Sequence, residues 1–333
     1  MTLTELFIRK PVVILDGAMG TELHREGVDI GLPLWSANAL IRAPHVVRNL
    51  HYGYLHAGAD ILTTNTFRTN IRTLRRKGFE DRWEELNLRA VELAFEARER
   101  YHPARPVLVA GGLAPVEECY SPELVPSDAE LRDEHARQAE LLAMFGADML
   151  LAETMMTVRE AVAAAAACAA TGKEFAVSFV CTRDGALLSG ESLEEAVDVL
   201  RPHEPAAIMI NCVSALHIGA VHRKLRTAYD DVTGCYANTG TPEKGEATQV
   251  RHDVTPEEYA VRSEEWVADG ARIVGGCCGT TMEHIALLTR LHAPETLRFQ
   301  EEEIAAWKDA RTRRWESLHA QSDASHTKET PDS

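Results

Sequence analysis

Short apolar runs alternate with longer amphipathic stretches along almost the whole chain. The runs fall at residues 12–16, 61–66, 107–113, 148–153, 175–181, 206–212, 233–238 and 271–277. Each reads as a buried strand, and each is followed by apolar residues at helical spacing. Helices are predicted over roughly 44–57, 82–101, 127–146, 157–171, 191–202, 214–229, 255–269 and 281–292. Ser127 with Glu130, and Thr255-Pro256 with Glu258, supply start signals. Gly58, Gly146 and Gly270 each close a helix just before the next strand, the position of a left-handed cap. Eight such alternations with short connections predict an α/β fold, a single (β/α)8 TIM barrel. An open doubly wound sheet would want a glycine-rich phosphate turn after its first strand. Asp16-Gly17-Ala18-Met19-Gly20 matches that turn only in part. Residues 1–320 are expected to form one barrel domain, and residues 321–333 a disordered polar tail.

Functional groups of such a barrel gather at the carboxyl ends of its strands. The eighth run ends in Gly275-Gly276-Cys277-Cys278-Gly279-Thr280. Neighbouring side chains of a regular strand face opposite ways, so adjacent cysteines share a site only where glycines loosen the backbone. The sixth run ends in Asn211-Cys212 and supplies a third thiol. Three thiols without an obvious fourth protein ligand describe a soft-metal site with an open position, Zn²⁺ first. Asp16 and Glu153, ending the first and fourth runs, bring two carboxylates to the same mouth. Lacking a cationic partner in the sequence pattern, they suit the ammonium group of an amino acid. Gly17, Thr64, Asn211 and Asn238 are the neutral groups expected to bind substrate beside them. Paired acid–base work of the glycosidase kind would leave the cysteines without a task. Cys119, Cys168, Cys181 and Cys235 read as small buried apolar residues, and His135 and His222, on helical stretches, are expected to face solvent.

Charge narrows the partners. The 333 residues carry 35 basic and 51 acidic side chains, a net charge of −16. That balance argues against nucleic acid or an anionic membrane and gives a negative background suited to a cationic substrate. No segment has the length and apolarity of a membrane span, and Met1 to Lys10 lacks an apolar signal core. Seven cysteines, an odd number without framework spacing, point to a reducing cytoplasm. The expected partners are small-molecule substrates, with an oligomer left open.

These residues together resemble the homocysteine S-methyltransferase family, zinc-dependent barrels that make methionine. The resemblance runs from about Asp16 to Leu291 and is strongest in Gly275-Gly276-Cys277-Cys278-Gly279-Thr280, with Asn211-Cys212 and Asp16-Gly17-Ala18-Met19-Gly20-Thr21 in support. It implies Cys212, Cys277 and Cys278 as zinc ligands and catalytic residues, and Asp16 and Glu153 as the carboxylates that bind the amino acid. Leu34-Trp35-Ser36-Ala37 resembles the branch that takes methyl from S-methylmethionine or S-adenosylmethionine. Thr64-Asn65-Thr66-Phe67 also resembles the homocysteine module of cobalamin-dependent methionine synthase. Ala237 and Met282 stand where many relatives have proline, and the loop from Thr239 to Gln249 departs from the family pattern.

The implied reaction is attack by the zinc-held homocysteine thiolate on the methyl carbon of a cationic donor, with a neutral thioether leaving. Four thiolates around a divalent ion make a negative centre, which favours a sulfonium or quaternary ammonium donor. Trp35 and Phe67 are the candidates to hold that cation on their ring faces, a contact of about 0.5–2 kcal/mol. The alternatives are a homocysteine-binding module methylated in trans by a cobalamin protein, a betaine-type donor, and a methyltransferase for another small thiol or selenol. A thiol zinc store or redox sensor is the non-enzymatic alternative.

Overall fold

The apolar runs become eight parallel strands in a computed structural model that describes residues 1–101, 105–243 and 246–294. They are β1 (Val13–Ile14), β2 (Ile61–Thr63), β3 (Leu108–Leu113), β4 (Met149–Met155), β5 (Phe175–Phe179), β6 (Ala207–Ser214), β7 (Thr233–Asn238) and β8 (Ala271–Gly276). From β2 onward each pairs with the next in chain order, and β8 returns to β1 with Val13 opposite Ile273. The ring is completed between β1 and β2 by a bridge of Leu15 to Ile61. There the Asp60 N–H donates to the Ile14 carbonyl at 2.7 Å and the Asp16 N–H to the Ile61 carbonyl at 3.0 Å. The protein is a (β/α)8 barrel, as the alternation predicts.

Among the described residues, eight helices of eight residues or more surround it: α1 (Pro44–His56), α2 (Trp83–Tyr101), α3 (Asp128–Met144), α4 (Val158–Ala170), α5 (Leu193–Leu200), α6 (Ile218–Ala228), α7 (Pro256–Ala268) and α8 (Met282–His292). The predicted capping boxes open α3 and α7. Gly58, Gly146 and Gly270 take the left-handed conformation, with φ of 100°, 92° and 96°. One apolar layer lies between strands and helices, and a second fills the barrel, where Val13, Leu15, Met149, Met209 and Ile273 meet. Leu3 and Leu6 join this inner cluster from an N-terminal helix, Leu3–Arg9, that the apolar pattern does not predict. Seven residues are too few for a periodic signal, but its Thr2–Glu5 capping box is readable in the sequence. The helix sits below the strands, its Leu3 N–H bonded to Glu174 just ahead of β5.

Cys119, Cys168, Cys181 and Cys235 are buried, as predicted. His135 and His222 are buried too, against expectation. His135 continues the stripe of Leu131, Gln138, Ala139 and Leu142 on α3, and His222 that of Ile218, Val221 and Leu225 on α6. Each imidazole has a buried partner: His135 Nε2 lies 3.3 Å from Glu160 Oε1, and His222 Nε2 lies 2.9 Å from Thr233 Oγ1. The divergent loop includes a two-stranded antiparallel pair, Pro242–Glu243 with Glu246–Val250. Residues 321–333, predicted as a polar tail, lie outside the described residues. Among the described residues no helix is long and apolar enough to cross a membrane.

Asp60 staples the barrel where β1 meets β2. Its buried carboxylate accepts the Ile14 N–H at 3.0 Å and pairs with Lys10 at 2.7 Å and Arg105 at 2.8 Å. Asp60→Asn would leave both cations without their shared carboxylate. Removing one partner of a buried ion pair costs about 3–5 kcal/mol, and partial exposure of the two cations reduces this to about 2–4 kcal/mol. Urea unfolding should show that loss as a lower midpoint; an unchanged midpoint would deny Asp60 a closing role.

Candidate active site

Cys212, Cys277 and Cys278 converge at the carboxyl ends of β6 and β8, their Sγ atoms all within 4.8 Å of one another. Cys212 Sγ and Cys277 Sγ are 3.2 Å apart. Zn–S bonds of about 2.3 Å in a tetrahedron set sulfurs about 3.8 Å apart, so the spacing suits one soft cation among them. The thiols do not ionise readily by themselves. Cys212 is pushed well above the ordinary range first by its hydrogen bond to Cys277 and further by burial, and Cys278 first by its bond to Cys212 and again by burial. Such a cluster holds protons unless a cation stands among the sulfurs, and metal affinity is then coupled to their release. The three cysteines therefore fit a metal.

Two bulges lie at the strand ends, one of them at Cys212 itself. Cys212 and Thr154 have φ of 56° and 63°, and each lies where the pairing of β6 or β4 slips register. Non-glycine residues in this region cost about 1–3 kcal/mol each and collect at functional sites. Two buried asparagines hold these turns. Asn211 accepts the Thr154 N–H at 3.2 Å and donates to Thr154 Oγ1 at 2.8 Å. Asn238 donates to the Cys212 carbonyl at 3.1 Å and accepts the Cys278 N–H at 3.0 Å. The sequence pattern predicts that both touch substrate. In the structure both are fully buried, Asn211 bonded to Thr154 and Ser178, and Asn238 to the backbone of Cys212 and Cys278. Gly279, with φ of 86°, turns the chain after the cysteine pair, and its N–H donates to Thr21 Oγ1 at 3.0 Å.

A cavity with an empty volume of about 890 Å³, open solvent at its mouth included, adjoins the thiols. Asp16, Gly17, Thr64 and Glu153 line it, as do Trp35 and Phe67. Asp16 is held by Thr63, whose N–H donates at 2.8 Å and whose hydroxyl donates at 3.1 Å. Burial still raises Asp16 from 3.8 to about 7. Burial, with the charge of Asp16 adding to it, raises Glu153 from 4.5 to about 8. The pair is therefore poised to take up a cation, whose charge would draw off the protons. Gly17 also has no room for a Cβ, which would strike the Tyr54 ring. Thr64 Oγ1 is shared between the Gly112 N–H at 3.1 Å and Thr66 Oγ1 at 2.8 Å.

Trp35 and Phe67 meet edge to face with centroids 5.5 Å apart. One face of Phe67 already carries a cation: the Arg68 guanidinium lies 5.5 Å from its centroid. Arg68 and Tyr120, absent from the sequence-derived site, also line the cavity. The Tyr120 hydroxyl donates to Cys212 Sγ at 3.4 Å. A loop arginine and a loop tyrosine carry no spacing signal. The position of Arg68 one residue beyond Thr64-Asn65-Thr66-Phe67 is the available clue.

A barrel whose strand ends gather three thiols and two protonatable carboxylates into one cavity defines a TIM-barrel enzyme with a candidate thiolate metal centre. Residues 13–291 match the family described as homocysteine S-methyltransferase. The chain belongs to that family and is a methyltransferase. Homocysteine S-methyltransferase 2 of Zea mays is 31% identical over 301 residues, covering 84% of this chain and 89% of that protein. The selenocysteine methyltransferase of Astragalus bisulcatus is 30% identical over 304 residues, covering 82% and 90%. The metallated homocysteine methyltransferase MmuM of Escherichia coli superposes with a TM-score of 0.77 at 28% identity, covering 87% of this chain and 99% of that one. Enzyme membership displaces the metal-store and sensor alternatives.

Proposed function

We propose that the protein transfers a methyl group from S-methylmethionine or S-adenosylmethionine to the sulfur of homocysteine, with Zn²⁺ held by Cys212, Cys277 and Cys278. The observation that carries this reading is the placing of three clustered thiols and two carboxylates on one cavity. When bound, zinc supplies a way to keep a substrate thiol, with a pKa of about 8.5, as thiolate at neutral pH. The chain's own residues do the rest. Asp16 and Glu153 bind the homocysteine ammonium and orient its sulfur toward the thiol cluster. Tyr120 donates to the Cys212 sulfur and lowers its share of negative charge. Asn211 and Asn238 act as positioning residues that keep Thr154, Cys212 and Cys278 in place. Trp35 offers a ring to the cationic donor, and Phe67 its remaining face. A neutral thioether leaves without needing an acid.

An assay of the purified protein against S-methylmethionine, S-adenosylmethionine, glycine betaine and a methylcobalamin system tests the donor. Methionine should form with a sulfonium donor and no second protein, chelation should abolish it, and Zn²⁺ should restore it. Turnover with the cobalamin system alone would move the protein to the in-trans alternative. Selenocysteine belongs in the acceptor panel, because the curated relatives include selenocysteine methyltransferases.

A further inference from the structure

The segment that follows β2 carries two buried polar atoms that the proposed chemistry leaves unused. Asn65 is 2% exposed and lines the cavity. Its Nδ2 is fixed to the Ser36 carbonyl at 2.9 Å, while its Oδ1 has no hydrogen-bond partner among the described residues. Arg68 is 4% exposed and lines the same cavity. Its Nη1 donates to the Glu117 carbonyl at 3.0 Å and its Nη2 to Glu118 at 2.9 Å, while its Nε is likewise unpartnered. Buried polar groups are almost always paired, and leaving them unpaired costs stability. Here an amide acceptor and one guanidinium N–H stand unpaired three residues apart among the residues that line one cavity, the Arg68 charge itself being paired with Glu118.

Their chemistry is complementary to a zwitterion. A guanidinium recognises a carboxylate, and an amide oxygen accepts from an ammonium. Asp16 and Glu153 already serve one amino acid in the proposed reaction. We infer that Asn65 and Arg68 form a second amino-acid subsite, which takes the α-ammonium and α-carboxylate of the methyl donor. The inference rests on the proposed methyl transfer and narrows its donor to a sulfonium amino acid. Arg68 beside Phe67 accords with it: although paired with Glu118, the guanidinium keeps its Nε–H for the carboxylate of the donor and leaves the sulfonium to Trp35. Betaine would satisfy Arg68 but, having no N–H, would leave Asn65 Oδ1 unpaired.

Three donors separate the contacts: S-methylmethionine has both α-groups, dimethylsulfoniopropionate only the carboxylate, and trimethylsulfonium neither. Wild-type kcat/KM should fall in that order, by about tenfold or more at each step. Asn65→Leu should erase the preference for the first over the second, and Arg68→Met that for the second over the third. KM for homocysteine should stay within about twofold in both, and Arg68→Lys should recover part of the carboxylate preference. Equilibrium binding of S-methylmethionine without homocysteine should weaken in step, which reads the subsite without turnover. Equal slowing with all three donors, or preferences unchanged in the variants, would overturn the subsite while leaving the proposed reaction intact. A wild-type enzyme that neither binds nor uses a sulfonium would overturn both.

Discussion

Replacing Cys278 with alanine should strip the protein of its bound metal and of its methyltransferase activity together. Cys278 is one of three sulfurs within 4.8 Å of one another, and its N–H is pinned by Asn238. Two remaining thiols cannot surround an ion. Losing an outer-shell partner of a metal site already lowers affinity about 10- to 100-fold, so losing a ligand should exceed that range. The activity loss follows from acid–base chemistry as well as from position. A free thiol with a pKa of about 8.5 is only about 3% ionised at pH 7, which accounts for roughly 30-fold. Lost orientation of the sulfur adds to this and should carry kcat/KM down by at least about 1000-fold. Elemental analysis beside a methionine assay checks both halves. Cys168→Ala, a buried cysteine on α4 remote from the cluster, should keep its metal and serves as the control. A Cys278→Ala protein with normal metal content and normal turnover would end the three-thiol assignment.

Much of this arrangement is legible in the sequence alone. The eight strands and helices follow from apolar spacing, and the cap glycines and capping boxes fall where local chemistry requires them. Cys212, Cys277 and Cys278 are readable as a set because a barrel brings distant strand ends together. What the sequence hides is how neighbouring residues turn. Nothing in the letters marks Cys212 or Thr154 as left-handed, since the sequence signal for that conformation is glycine or asparagine. For the same reason Asn211 and Asn238 look like substrate ligands when read as strand-end polar residues. In the structure their amides are bonded to the two bulges. Arg68 escapes because a single arginine after a strand ordinarily reads as surface, whereas here it is 4% exposed. The misplaced histidines are a different matter. The stripes that bury His135 and His222 are visible in the sequence, and each imidazole gains a polar partner that single-residue polarity ignores.

Glu153→Gln should weaken homocysteine binding by an amount that depends on pH, and that dependence distinguishes charge from shape. In the ligand-free protein Asp16 and Glu153 stand at about 7 and about 8, above their ordinary values. The folded protein thus holds protons that the unfolded chain gives up. The stability these groups contribute is present at low pH and lost as pH rises through 7 and 8. An ammonium ligand reverses the preference, because it favours the ionised pair. Binding below pH 8 must then expel a proton, so the wild-type KM for homocysteine should rise as pH falls. At pH 8.5 the Glu153→Gln enzyme lacks one full charge, and an interaction of about 1.5–3 kcal/mol with the ammonium is lost, roughly a 10- to 100-fold rise in KM. At pH 6 the wild-type Glu153 is itself protonated, and the two enzymes should nearly coincide. Calorimetry in buffers of different ionisation enthalpy should show fewer protons released by the variant at pH 7. The substrate thiol should release its proton equally in both proteins, so the difference isolates the carboxylate. With kcat little changed, the effect belongs to ground-state binding. An equal penalty at pH 6 and pH 8.5 would mean that Glu153 shapes the cavity instead of neutralising the ammonium, and the amino-acid end of the site would have to be sought around Asp16 alone.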